Sequence, residues 1–284
     1  MFKTYYHLVK PGIIYGNILF AVGGFMLAAK GHVSWALLLY TLLGTSLVIA
    51  SACVFNNYTD RGIDKKMKRT ARRALVEGRV SARKALTFAS VLGVVGFSIL
   101  ILHVNGLTAL VGAVGFIDYV ILYGFSKRRT VYGTLVGTIS GATPPLAGYT
   151  AVTGHIDAGA ILVFLIIAFW QMPHFFAIAL YRKKDYAAAD IPVWPVKRGD
   201  RSTKVQMIWY TALFTAACCS LTVFGYTGIT FLVVMLGAGL YWLWRCIQGF
   251  GAPDTALWAR KMFFFSLIIT ILLTVMLVVG PLLP

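Results

Sequence analysis

Asp60 and Asp64 stand four residues apart at the end of a long apolar stretch, in Asn56-Asn57-Tyr58-Thr59-Asp60-Arg61-Gly62-Ile63-Asp64. If that stretch continues as a helix, Asn56, Asp60 and Asp64 fall on one stripe, a turn apart. Two bare carboxylates so placed repel each other, and a divalent cation reverses the sign of that interaction. Carboxylates with an amide carbonyl make an all-oxygen donor set, which suits Mg²⁺, an ion that keeps waters and binds substrate phosphates. The same spacing equally suits a solvated helix end whose acids pair with Arg61, Lys65 or Lys68.

A second polar segment shifts the balance. Asp185 and Asp190 lie in Tyr181-Arg182-Lys183-Lys184-Asp185-Tyr186-Ala187-Ala188-Ala189-Asp190-Ile191-Pro192. Two acidic segments facing each other, each beside a basic run, form a natural diphosphate clamp. Metal ions bridge carboxylates to phosphate oxygens while Arg and Lys neutralise the remaining charge. The candidate cations are Arg69, Arg72, Arg73, Lys127, Arg128 and Lys184. Each of them also serves as a topology determinant.

The elements that position these groups are set by composition. Of 284 residues, 59% are hydrophobic and 12% charged, and that charged share is about half that of an ordinary globular protein. A soluble fold could not hide so much apolar surface, so the chain reads as an all-α integral membrane protein. This excludes a secreted disulfide scaffold, a disordered chain and a cytosolic enzyme. Cys53, Cys218, Cys219 and Cys246 sit inside apolar runs with no CxxC spacing, which points to neither zinc nor disulfides.

Nine apolar stretches have spanning length: 13–29, 35–55, 85–102, 107–125, 131–152, 158–179, 205–224, 228–247 and 263–283. All of the 26 Lys and Arg residues except Lys30 fall in alternate connections or beside them. The positive-inside rule then places the N-terminus in the cytoplasm and the C-terminus outside. The net charge of +17 is therefore topology, and no nucleic-acid partner is needed. A bacterial inner membrane or its organelle equivalent is the expected location. The two long connections, 56–84 and 180–204, emerge on the same cytoplasmic face. The expected architecture is a single domain, 1–284, with two four-helix halves and a ninth helix around a central cavity.

These residues resemble a known family. Asn56-Asn57-x-x-Asp60-x-x-x-Asp64, with Met67-Lys68-Arg69-Thr70-Ala71-Arg72-Arg73-Ala74-Leu75-Val76 after it, is similar to the first aspartate-rich motif of UbiA-type intramembrane prenyltransferases. Lys10-Pro11-Gly12, Lys127-Arg128-Arg129-Thr130, Gly141-Ala142-Thr143-Pro144-Pro145, Trp170-Gln171-Met172-Pro173-His174-Phe175-Phe176 and Asp185-Tyr186 with Ile191-Pro192-Val193-Trp194-Pro195 resemble the branch that farnesylates haem. The resemblance runs from about Phe2 to the last span.

It implies transfer of a farnesyl group from farnesyl diphosphate to a vinyl group of haem b, with water addition, giving haem O. It also implies Mg²⁺ ligated by Asn56, Asp60, Asp64 and Asp185, with Arg69 and Arg73 among the diphosphate-holding cations. Haem A synthase or terminal oxidase assembly proteins are the partners it implies. Two positions depart from the broader pattern. Asn57 stands where many relatives outside the haem branch have Asp, and Asp190 is five residues from Asp185 rather than four.

His174 and Asp118 are ionisable residues within spans, and so functional candidates by default. His174 suits either a haem ligand or a side chain satisfying the carbonyl freed by Pro173. Asp118 is expected to face the interior cavity, to be protonated or to bond a neighbouring polar side chain. Three other functions compete: a prenyltransferase with an aromatic or chlorin acceptor, a membrane transporter, and a non-catalytic assembly subunit. A transporter usually keeps polar residues at the midplane, whereas these acids crowd at one face.

Overall fold

Lipid offers no hydrogen bonds to a bare backbone, so a chain this apolar is expected to close its amides within helices. A computed structural model describes residues 2–67 and 70–284, and its regular structure is helical throughout. In chain order the helices are α1 (Phe2–Leu8), α2 (Pro11–Ala29), α3 (Trp35–Asp64), α4 (Ala82–His103) and α5 (Gly106–Ile117). A π-helical turn, Asp118–Leu122, joins α5 directly to α6 (Tyr123–Arg129). Then come α7 (Gly133–Thr153), α8 (Ala158–Tyr181), α9 (Lys183–Ala188), α10 (Trp194–Val223), α11 (Ile229–Gln248) and α12 (Thr255–Val279).

Helix starts follow from short polar side chains that take up unpaired amides. Asn105 accepts from the Thr108 amide at 2.8 Å and Asp157 from Ala160 at 2.9 Å. Asp254 accepts from both Ala256 and Leu257, which starts α12 eight residues before the apolar run at 263. α10 likewise starts at Trp194 rather than 205, because a polar amphipathic turn precedes the apolar part. Gly199, at φ 81°, breaks that helix between the two.

Among the described residues, eight helical segments are long and apolar enough to cross a membrane. The expected nine included 131–152, which the structure shows as α7. Its 21 residues have the length, but Gly, Thr, Pro144 and Pro145 replace the aliphatic residues of the other spans. Such a helix is suited to neighbours rather than lipid, and α7 packs against α2, α5 and α8. Small residues let it come close. Gly24 of α2 faces the Pro145 backbone and Gly148 of α7 faces the Ala21 backbone, with no room for a Cβ at either. α3 and α4 approach in the same way, and Ser51 donates to the Ala89 carbonyl at 2.7 Å. α12 packs against both α2 and α8 and so joins the first and last parts of the bundle. The largest buried cluster, with Trp170, Phe214 and Trp242, is built mainly from α8, α10, α11 and α12, joined by residues of α2 and α7.

Gly148→Val is expected to lower stability by about 1–3 kcal/mol, because backbone rather than a movable side chain blocks the added atoms. Gly237→Ala, where nothing lies within 4 Å, is expected to be neutral or mildly stabilising. Thermal unfolding of the two variants in detergent separates these outcomes.

Candidate active site

α3 runs unbroken through Asp64, nine residues past the end of the expected span at 55. Asn56, Asp60 and Asp64 therefore do share one stripe, and all three are buried. A buried carboxylate needs a partner. The partners are neither Arg61, which turns back onto the Tyr58 carbonyl and ring, nor Lys65, and Lys68 lies outside the described residues. Lys127 and Arg128 at the end of α6 grip Asp60, Arg128 at 2.9 Å, and Arg128 also donates to the Thr59 carbonyl at 2.7 Å. Arg73 holds Asp64 at 2.7 Å, and the Thr70 hydroxyl donates to the Asp64 carbonyl at 3.0 Å.

The π turn sets the phase of α6. The Tyr123 amide donates to the Asp118 carbonyl, five residues back, which adds one residue to that turn. One residue rotates everything after it by about 100° relative to a regular helix. Asp118 itself is buried and accepts the backbone amide of Ser140 in α7 at 3.0 Å. Its other oxygen has no partner among the described residues.

Lys10 completes the site and was not singled out as a ligand from the sequence. It precedes Pro11 in the left-handed region, at φ 52°, which aims its side chain back toward α3. Its Nζ donates to Asn56 Oδ1 at 2.8 Å and lies 5.9 Å from the Tyr119 ring centroid. Asn57 anchors the same corner by donating to the Leu8 carbonyl at 2.8 Å. Burial pushes the Lys10 ammonium down to about 8; Arg73 and Lys127 add to that, while Asp60 opposes it. The signal available in the sequence was Lys-Pro, a cation fixed at a helix entry.

Among the described residues, then, Lys10, Arg73, Lys127 and Arg128 converge on a stripe of three oxygen-bearing side chains. Four cations face two carboxylates, leaving positive charge in excess. The donor chemistry fits a hard divalent cation, and the excess charge fits the polyanion that such a cation binds. Asn56 Nδ2 and Asn57 Oδ1 are buried without partners among the described residues.

Other expected site residues lie elsewhere. Arg72 and Lys184 are exposed, and Arg69 lies outside the described residues. Asp185 on α9 is paired with Arg182 at 3.5 Å. The acid that reaches the first connection is Asp190, in a left-handed turn at φ 55°, whose carboxylate lies 3.9 Å from Lys66. The two connections thus meet at one end of the bundle. Among the described residues no three Asp, Glu, His or Cys side chains gather tightly enough to hold a metal by themselves.

His174 is buried in α8, stacked on Trp170 at 4.8 Å. Its Nδ1 lies 2.7 Å from Ser266 Oγ, so its partner is that hydroxyl and not the carbonyl freed by Pro173. Ser266 donates to the Phe263 carbonyl at 2.6 Å. The hydroxyl proton being used there, Nδ1 carries the proton of the His174 pair and Nε2 keeps its lone pair.

Comparison with known proteins agrees with this geometry. Residues 17–268 match the UbiA prenyltransferase family. A protoheme IX farnesyltransferase of Sodalis glossinidius is 49% identical over 286 aligned positions, covering 100% of this chain and 96% of that one. Its counterpart in Klebsiella pneumoniae is 47% identical and is covered to 97%. Among solved structures, a digeranylgeranylglyceryl phosphate synthase superposes with a TM-score of 0.81 at 17% identity, covering 99% of this chain and 98% of that one. A UbiA homologue of Archaeoglobus fulgidus, bound to GPP and Mg²⁺, gives 0.71 at 15% identity over 97% of this chain and 99% of its own. The acid stripe at the end of α3, the cations that converge on it and the match over nearly the whole chain lead to one conclusion: this chain belongs to the UbiA prenyltransferase family.

Proposed function

We propose that this chain is a farnesyl transferase acting on haem b to give haem O. The observation that carries the reading is the convergence of Lys10, Arg73, Lys127 and Arg128 on Asn56, Asp60 and Asp64 at the end of an apolar bundle. The names of the relatives at 47–49% identity support haem as the acceptor.

The site fits this chemistry. The allylic C–O bond breaks and its electron pair leaves on the diphosphate. Negative charge grows where the cations stand, so they stabilise the transition state more than the ground state. Arg73, Lys127 and Arg128 are long enough to shift from carboxylate to phosphate oxygens. Asn56, Asp60 and Asp64 would hold Mg²⁺, with Asp185 as a further ligand from the second connection. Bound there, the ion supplies Lewis-acid charge neutralisation on the phosphate oxygens. Apolar helix faces keep water from the allylic cation until the vinyl π electrons attack it. The new cation beside the porphyrin ring takes up water, and the released proton goes to solvent.

His174 would meet the haem iron through Nε2, with Ser266 fixing the tautomer. The bundle crosses a bacterial inner membrane nine times as a single domain, with its N-terminus and the acidic site on the cytoplasmic side, and encloses the farnesyl chain. Haem A synthase or oxidase assembly proteins would take the product.

Purified protein given haem b, farnesyl diphosphate and Mg²⁺ is expected to yield haem heavier by farnesyl plus water, and chelation should stop it. Mass spectrometry of extracted haem reads this directly; product from a quinone precursor alone would reassign the acceptor. Asp60→Asn and Asp64→Asn should each cut turnover by at least about a hundredfold while the protein stays inserted. Near-normal rates at saturating Mg²⁺ would remove these carboxylates from the metal site. Ser266→Ala is expected to weaken haem binding by about tenfold, followed as a titration at the Soret band. An unchanged titration in both Ser266→Ala and His174→Ala would exclude His174 as a ligand.

A further inference from the structure

A second charged cleft lies where the start of α10 meets the turn between α11 and α12. Its volume is about 420 Å³, and Arg201, Lys204 and Phe250 line it. The side chains of Lys204 are tied into the protein: the residue is only 7% exposed, and its Nζ donates to the Gly249 carbonyl at 2.7 Å and the Thr255 hydroxyl at 2.9 Å. It also lies 5.4 Å from the Trp258 ring centroid. These are dipoles and a ring face, none of them a counter-charge. Asp200, one turn earlier on α10, is engaged by Lys183 at 2.7 Å.

Arg245 enters the same corner. Its carbonyl accepts from Trp258 Nε1 at 3.2 Å, and its own Nε is buried without a partner among the described residues. An ammonium hydrogen-bonded only to dipoles, whose one nearby carboxylate, Asp200, is shared with Lys183, carries a desolvation cost that a further anion offsets. The cleft belongs to the end of the bundle that holds the acidic site, since the Lys183–Asp200 and Lys66–Asp190 pairs tie α10 to the first connection. Beside the cations, Phe250 is 44% exposed. Cations next to an exposed apolar ring at the end of a bundle match a molecule with an anionic head and an apolar body.

We propose that this cleft binds the phosphate of an anionic phospholipid headgroup, with Arg201 and Lys204 on the phosphate oxygens and Phe250 against the acyl chain. This is separate from the proposed prenyl transfer and does not rest on it.

The test is thermal unfolding and binding of the full chain in neutral detergent, titrated with short-chain phosphatidylglycerol, with phosphatidylcholine and with inorganic phosphate. Phosphatidylglycerol should raise the unfolding temperature saturably, while the other two do not at matched concentration. Arg201→Gln, at an exposed position, should fold and bind phosphatidylglycerol about tenfold more weakly. Lys204→Gln should do the same, and if it fails to fold, the Arg201 variant decides. An equal response to phosphatidylcholine, or the full response from inorganic phosphate, would overturn the proposal. So would unchanged lipid binding in Arg201→Gln, or a raised KM for haem in that variant with lipid binding intact.

Discussion

Asp60, gripped by two cations from another helix, is the interaction on which the arrangement of the first half depends. A carboxylate buried at the edge of an apolar bundle is tolerable only with partners at hand. Lys127 and Arg128 supply them from α6, and so the ends of α3 and α6 must lie side by side. Between those ends the chain must leave along α4 and return along α5. The close approach of α4 to α3, through Gly44, Gly93 and Gly96, gives that return its path. Lys10 and Arg73 then close on the same stripe from either side. The stability of this corner and its chemistry come from the same charges.

Much of this was legible in the sequence because it rests on period and type. The four-residue spacing of Asn56, Asp60 and Asp64 predicts a common stripe once α3 continues, and it does. Lys127, Arg128 and Arg73 were recognisable as cations in an acid-poor chain whose basic residues crowd at one face. Lys10 was not, because its position depends on a left-handed backbone before Pro11, which no spacing rule reveals. The start of α10 at Trp194 was hidden by its polar amphipathic turn and the break at Gly199. α7 was recognised by length, although its hydropathy is set by neighbours that the sequence does not name. Which of Asp185 and Asp190 reaches the first connection depends on a turn at Asp190, not on the pattern of acids.

The two halves of the bundle hold together by different means. In the first, small residues bring backbones into contact, as at Gly96 against the Val48 amide and Gly44 carbonyl. In the second, large side chains fill the interior, and Trp242 Nε1 and Thr274 Oγ1 are buried there without partners among the described residues. Trp170 donates to the Ser266 carbonyl at 3.0 Å while His174 meets the hydroxyl of the same residue. Close backbones favour a rigid frame beneath the acid stripe.

The π turn at Asp118–Leu122 carries a different kind of information. Its effect depends on how many residues lie between α5 and the basic end of α6, and hardly on which residues they are. A chain lacking one residue there would keep its composition, its hydropathy and every motif, yet Lys127 and Arg128 would swing about 100° around the helix axis, away from Asp60. In a set of aligned sequences such a loss would show as a single gap inside an apolar segment, a place where gaps are normally read as noise. For this fold, that gap would separate chains able to assemble the acid–cation cluster from chains that only look as if they can.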